Sequence, residues 1–302
     1  MIAWLAFAAA VVAIVLAERA RRDAHTARRR GQDARDLARD ASQAAVSASR
    51  SARQDLVERR LEELDLTPAL PPVFRAGAGE DLVLFDLLRP LRDGATPGTF
   101  LEVGAYDGVR YSVTWIFEAI GWSGVLIEPI EHHAERCRAS RPHSKVFHAA
   151  LGAPGGPPST TFTLLEPSEN ADTDTASFAT THETHRFKMR RSIVRASRSV
   201  EVPLRTMTDV LEEAFETPRS IDLAVIDVEG GEFDLLRGFD LDRFPPRVLL
   251  VEDLTAGGDT SVRDLLIASG YESVARIARN DLYIRSDERE LIDRARILTT
   301  FV

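Results

Sequence analysis

The 302-residue sequence is 44% hydrophobic and 28% charged, with a net charge of −9, which is enough apolar side chain for one large core or two small ones. That balance excludes a disordered, collagenous or disulfide-stapled chain, and the single cysteine, Cys137, offers neither an internal disulfide nor a thiolate metal site. Residues 1–17 carry no charged side chain, residues 18–60 hold twelve Arg against seven Asp and Glu, and the excess of negative charge lies beyond them; a main body of that sign does not suit a phosphate backbone, so no nucleic-acid partner is expected.

Residues 2–17, IAWLAFAAAVVAIVLA, are an unbroken apolar run, about 24 Å long as a helix. Positive charge follows the run, at Arg19, Arg21, Arg22 and Arg28 to Arg30, and none precedes it. A cleavable signal peptide has the reverse order. The expectation is an uncleaved single-span anchor over residues 1–17 in the cell inner membrane, with the rest of the chain cytoplasmic. Residues 18–72 read as a charged helical stalk and linker, rich in Ala and Arg with few large aliphatics. A coiled coil making a homodimer through the stalk is the sharper alternative, and Ala and Ser at most helical positions weaken it. Pro68, Pro71 and Pro72 mark the border of a folded domain over residues 73–302.

Beyond Val73, strand-like segments alternate with amphipathic ones, the pattern of a parallel sheet covered on both faces. Strands are expected at Thr99–Val103, Gly124–Glu128, Lys145–Ala150, Asp222–Asp227, Arg247–Glu252, Glu272–Ala275 and Asp281–Arg285. Helices are expected near Asp81–Arg92, Ser112–Ile120, Ile130–Ser140, Met207–Phe215, Glu232–Leu236 and Ser261–Ser269. Ligands of such sheets lie at the carboxyl ends of the strands, so the residues that end strands are the ones to weigh.

The first strand runs into Phe100-Leu-Glu-Val-Gly-Ala-Tyr-Asp-Gly108. Gly104 and Gly108 permit a tight turn and a close backbone approach. Glu102 and Asp107 would repel a pyrophosphate, and the third glycine of the dinucleotide fingerprint is missing. An acidic, glycine-bearing loop suits a cofactor with an amine or sulfonium cation. The second strand ends in Glu128-Pro129, about twenty residues past the glycines, and a carboxylate there can accept hydrogen bonds from two ribose hydroxyls.

The Glu102-x-Gly104-Ala-x-Asp107-Gly108 turn, the Ile127-Glu128-Pro129 strand end, the segment Ile226-Asp227-Val-Glu229-Gly230-Gly-Glu232 and the hairpin Asn280-Asp281-Leu-Tyr283 together resemble the FkbM-type family of S-adenosylmethionine-dependent methyltransferases, over about residues 78–286. The resemblance implies an α/β fold: a Rossmann-like seven-stranded methyltransferase sheet with a reversed last strand and helices on both faces, here preceded by the N-terminal membrane helix and the stalk. It implies S-adenosyl-L-methionine as cofactor and methyl transfer, usually to a hydroxyl oxygen. Carried over by position, Glu102, Gly104 and Asp107 belong to the cofactor loop, with Glu102 and Gly104 facing the methionine moiety. Glu128 takes the ribose, Ala150-Leu151 the adenine edge, and Asp227 and Glu229 the amino and methyl end.

Methyl transfer needs alignment and a base to take the hydroxyl proton. Asp227, Glu229, His182 and His185 are the candidates, the histidines lying in a polar insertion, Ser168–Ser199. His182-Glu-Thr-His185 is not the zinc-protease motif and has no evident third ligand. Asp227, Glu252 and Asp253 are a conceivable carboxylate set for a divalent ion, but no metal is expected. Glu229 and Glu232 have a plainer reading as helix-start carboxylates. The Arg run from Arg186 to Arg198 reads as a solvated face, or else as a site for an anionic acceptor. The expected protein is a membrane-anchored O-methyltransferase acting on a small-molecule, glycan or lipid-linked acceptor. The rivals are a nucleotide-binding enzyme on a similar sheet and a non-catalytic scaffold with this fold.

Overall fold

A computed structural model describes residues 47–48, 50–91, 96–167, 177–179 and 194–299. The expected anchor over residues 1–17, most of the stalk, and His182 and His185 lie outside the described residues. Among the described residues no helix is long and apolar enough to cross a membrane.

The central element is β1 (Thr99–Val103), every residue of which is buried. A strand covered on both faces must be apolar throughout, and Glu102 is the one charged exception. The other strands of its sheet are β2 (Ser123–Glu128), β3 (Ser144–His148), β8 (Ile221–Ile226), β9 (Pro246–Glu252), β10 (Tyr271–Ile277) and β11 (Asn280–Arg285). Their order is β10-β11-β9-β8-β1-β2-β3, parallel except for β11, which runs antiparallel to both β9 and β10. The seven strands and the reversed last one are as expected. Strand order reverses between β1 and its two neighbours β2 and β8, the place where a crevice opens at the carboxyl ends.

Alternate residues of each strand face opposite sides, so two apolar cores form. Phe100, Leu126, Val225 and Leu250 pack under α2 (Glu80–Leu88), α3 (Trp115–Ala119), α4 (Glu131–Ser140) and α8 (Arg289–Thr299). Leu101, Val103, Ile127, Ala224 and Val251 pack against α5 (Met207–Ala214), α6 (Glu232–Arg237) and α7 (Ser261–Ala268). The start of α5 follows from a capping box: Thr206 accepts from the Asp209 N–H at 3.1 Å while Asp209 accepts from the Thr206 N–H, which satisfies two helix-end donors at once.

Three features depart from the expectations. The compact unit runs from Ala52 to Val302, so it starts before the border placed at residue 73. At its start, helix α1 (residues 50–63) buries Val57 and Leu61 in the first core and pairs Arg53 with Asp86 of α2 at 2.5 Å. The two aliphatics spaced four apart were the stripe that docks it. Second, β3 stops at His148, and Ala150–Leu151 instead forms β4, which pairs with β7 (Val194–Arg205). β7 also pairs with β5 (Ser159–Pro167), and β5 with β6 (Ser177–Ala179). This four-stranded sheet takes up parts of the segment read as an insertion loop, because its long ladder between β5 and β7 is made by residues far apart in the chain. Third, α8 had no counterpart in the expected set, although Leu291, Ile292 and Ala295 form a buried stripe.

Candidate active site

A cavity of about 1120 Å³ opens at the carboxyl ends of β1, β2, β8 and β9. Glu102, Gly104, Glu128, Ala150, Asp227 and Glu229 all line it, with Leu151, Gly152, Thr160 and Phe162 closing it toward the second sheet. Of the described residues given a cofactor or catalytic role from sequence, Asp107 is absent from the wall, and so is Asp253 of the conceivable metal set.

The β1 turn is held by its own backbone. Gly104 has φ +80°, and a Cβ there would stand 1.9 Å from the Asp227 carbonyl oxygen. The Gly104 N–H donates to Ile127 O at 2.9 Å and the Asp227 N–H to Val103 O at 3.1 Å. Gly104 therefore lets the ends of β1 and β8 close together, which no residue with a side chain can do. Asp107 tightens the same turn, accepting from the N–H groups of Val109 and Arg110 at 2.9 and 2.7 Å. That local bonding gives it a turn-forming part, as an aspartate two residues before free N–H groups makes an Asx turn.

Glu102 is also bound into the protein. One oxygen accepts from the Val113 N–H at 2.9 Å, and the other from the Ser112 and Thr114 hydroxyls at 2.8 and 2.5 Å. Behind it lies Arg141, fully buried, 3.5 Å from Glu102 and 2.6 Å from Glu118. Arg141 also donates to Gly108 O, Ser112 and Thr114. This network was not legible, since Arg141 stands just past α4 with no motif around it. Cys137 belongs to the same buttress: its thiol donates to Tyr106 O at 3.0 Å, and burial first, then Glu128, push its pKa up, so it stays protonated.

At the end of β2, the two oxygens of Glu128 accept from the N–H groups of Tyr106 and Ile130, each at 2.8 Å. Each oxygen retains a lone pair, so the carboxylate is fixed in place and still able to accept from a ligand. His133 stands 3.7 Å from it and packs edge-on against Tyr106.

The opposite side of the cavity holds a second carboxylate group. Parallel pairing sets Ile226 of β8 beside Val251 of β9, so the residues that follow, Asp227 and Glu252, become neighbours. Glu229 follows with φ 57°, in a loop held by Glu232, which accepts from the N–H groups of Val228 and Gly230 at 3.2 and 3.0 Å. Glu232 is thus the helix-start carboxylate of its plainer reading. One oxygen each of Asp227, Glu229 and Glu252 lies within 4.8 Å of the others. Burial first, then the charges of Asp227 and Glu229, push Glu252 up to about 9. Asp227 faces the open cavity, yet it sits deep among protein atoms, and that desolvation raises its pKa as well. The Asp227 and Glu252 carboxyls thus hold protons more tightly than free ones. Asp253 does not join them: it accepts from the N–H groups of Thr255 and Gly257 and pairs with Arg276 at 2.7 Å, and its pKa falls to about 2 through these bonds, which outweigh its burial.

The family model described as Methyltransferase FkbM domain matches residues 102–273, more than half of the chain and all four strand ends of the cavity. Among solved structures, the METTL16 methyltransferase domain is 11% identical, over 69% of this chain and 66% of that one, with a TM-score of 0.38. Human methyltransferase 10 domain containing protein is 12% identical, over 80% and 96%, at 0.37. An O-methyltransferase from Bacillus cereus in complex with SAH is 14% identical, over 78% and 89%, at 0.33. The chain thus spans just under two thirds of the METTL16 domain, and at these values the likenesses carry no argument about activity. No curated protein matches the sequence.

Proposed function

The chain belongs to the FkbM methyltransferase domain family, and from that premise we propose that it transfers the methyl group of S-adenosyl-L-methionine to a hydroxyl of a sugar, glycan or lipid-linked acceptor. The observation that carries this reading is the cavity at the strand ends, with a fixed, still-accepting carboxylate on one side and a carboxylate cluster on the other. The acidic wall fits a cofactor that bears a cationic sulfonium, an ammonium and a neutral ribose, and it disfavours a pyrophosphate.

Glu128 would hold the ribose hydroxyls with its free lone pairs, and the Ala150-Leu151 strand would lie along the adenine edge. Gly104 would bring backbone to the methionine end. The cofactor supplies an electrophilic methyl group. The protein's work is to align the attacking oxygen and to receive its proton, for which Asp227 and Glu229 stand at the cavity end away from Glu128. The raised pKa of Asp227 favours that role for it, because burial makes its carboxylate hold a proton more tightly than a free one. We assign the apolar run of residues 2–17 as the anchor that keeps this site at the cytoplasmic face of a membrane; recovery of the chain in the soluble fraction after lysis without detergent overturns the assignment.

Equilibrium titration of the full chain with S-adenosylmethionine tests the activity reading. Saturable binding is expected, weakened by Glu128→Ala. An intact fold that binds none of the cofactor overturns it.

A further inference from the structure

Buried carboxylates elsewhere around the cavity have their charge answered. Glu102 and Glu118 meet Arg141, and Glu128 and Glu232 accept backbone N–H groups. Glu252 differs. It is 4% exposed, its Oε1 lies 3.6 Å from Arg279, a guanidinium that is 69% exposed, and its Oε2 has no hydrogen-bond partner among the described residues. A buried polar atom left so is uncommon and marks a place where a ligand completes the structure. Its neighbours there are the carboxyls of Asp227, with which it makes a side-chain hydrogen bond, and of Glu229.

We propose that Asp227, Glu229 and Glu252 form a binding site for a hard divalent cation, Mg²⁺ or Mn²⁺, at the acceptor end of the cavity. Three carboxylates with no thiolate or imidazole among them select oxygen-preferring ions. An ion of this size bonds oxygen at about 2.1 Å, so adjacent ligands of an octahedron stand about 3 Å apart and opposite ones about 4.2 Å. Oxygens already within 4.8 Å of one another close to that spacing by side-chain rotation. Glu252 and Asp227 come from rigid strand ends, while Glu229 comes from the loop that Glu232 holds. The sequence alone suggested Asp253 as the third ligand, and its bonds to Thr255, Gly257 and Arg276 take it out of the set.

With three protein ligands, about half of an octahedral shell stays open toward the cavity. Those positions suit acceptor oxygens, and a hydroxyl bound to a divalent ion loses its proton more readily; because each carboxylate offers the ion one oxygen, the second oxygen of Asp227 or Glu229 remains to receive that proton. The preferred acceptor is therefore one with two adjacent oxygens, such as a vicinal diol or a hydroxy acid. That role rests on the methyl-transfer reading, whereas the binding of the ion does not.

The experiment is titration of the chelator-treated full chain with Mn²⁺, following free ion by electron paramagnetic resonance. One saturable site is expected, with Mg²⁺ competing for it. Glu252→Gln and Glu229→Gln should each weaken it at least tenfold, and Asp253→Asn should change it less than threefold. Thermal denaturation guards against misfolding: Mn²⁺ should raise the Tm of the native chain and not that of Glu252→Gln. No saturable site, affinity unchanged in Glu252→Gln, or equal losses in Asp253→Asn and Glu252→Gln would each overturn the proposal. A parallel titration with S-adenosylmethionine separates the two readings. Loss of cofactor binding with Mn²⁺ binding intact defeats methyl transfer and leaves the ion site; the converse defeats the ion site alone.

Discussion

Two acidic groups lie beside the cavity, one behind β1 and one at the ends of β8 and β9, and their surroundings are opposite. Glu102 and Glu118 are bridged by the buried Arg141 and by hydroxyls and backbone N–H groups. Asp227, Glu229 and Glu252 crowd one another, with the exposed guanidinium of Arg279 beside Glu252. Residue type is the same in both. What separates a structural carboxylate from a reactive one is whether the fold itself supplies the compensating donors.

The contrast can be broken most forcefully at Arg141. Replacing it with Met leaves two buried carboxylates uncompensated, and a loss of about 3–5 kcal/mol in unfolding free energy is expected from urea denaturation. A similar stability in the variant would mean that the β1 cluster is not held by the ion pair. Next comes Gly104→Ala, which must either strain the left-handed turn or push Asp227 away; about 1–3 kcal/mol is expected by the same measurement, together with weaker cofactor binding. Glu128→Ala sharpens the comparison from the ligand side. It should weaken S-adenosylmethionine about tenfold, equivalent to about 1.4 kcal/mol, in isothermal titration.

The smallest initial effect, and the one that grows, is expected for Glu252→Gln in the presence of a chelator. An unfolded glutamate ionises near 4.5, whereas the folded one keeps its proton to about 9. Between these values the folded state binds more protons than the unfolded, so native stability must fall as pH rises. At pH 4 the variant and the native chain should differ little. Toward pH 9 the native chain should lose ground steadily to the variant in parallel denaturation curves. Parallel pH dependences would show that Glu252 is not the strained member of the cluster.

Legibility followed the range of the interactions. The central strands β1, β2, β8 and β9 could be placed because parallel strands buried on both faces are local apolar runs. Glu128, Gly104 and Asp227 could be placed because they sit at or just past the ends of those runs. Arg141 could not, since its partners Glu102 and Glu118 are 39 and 23 residues away and nothing in the local pattern calls for a buried cation. The β5–β7 ladder escaped for the same reason, its strands being separated by a polar stretch that reads as loop. Glu229 rather than Asp253 stands beside Asp227 and Glu252, because one residue along a strand end decides which side of the sheet a carboxylate meets.

By itself, then, the sequence determined the uneven charge, the succession of strands and helices, and the strand-end motifs from which a methyltransferase sheet follows, because these depend on periodicity and near neighbours. Only the tertiary structure decided which acidic side chains are silenced by Arg141 and which are left exposed to one another around Glu252. Charge compensation acts through space, between groups that the chain brings together only when the sheet has formed.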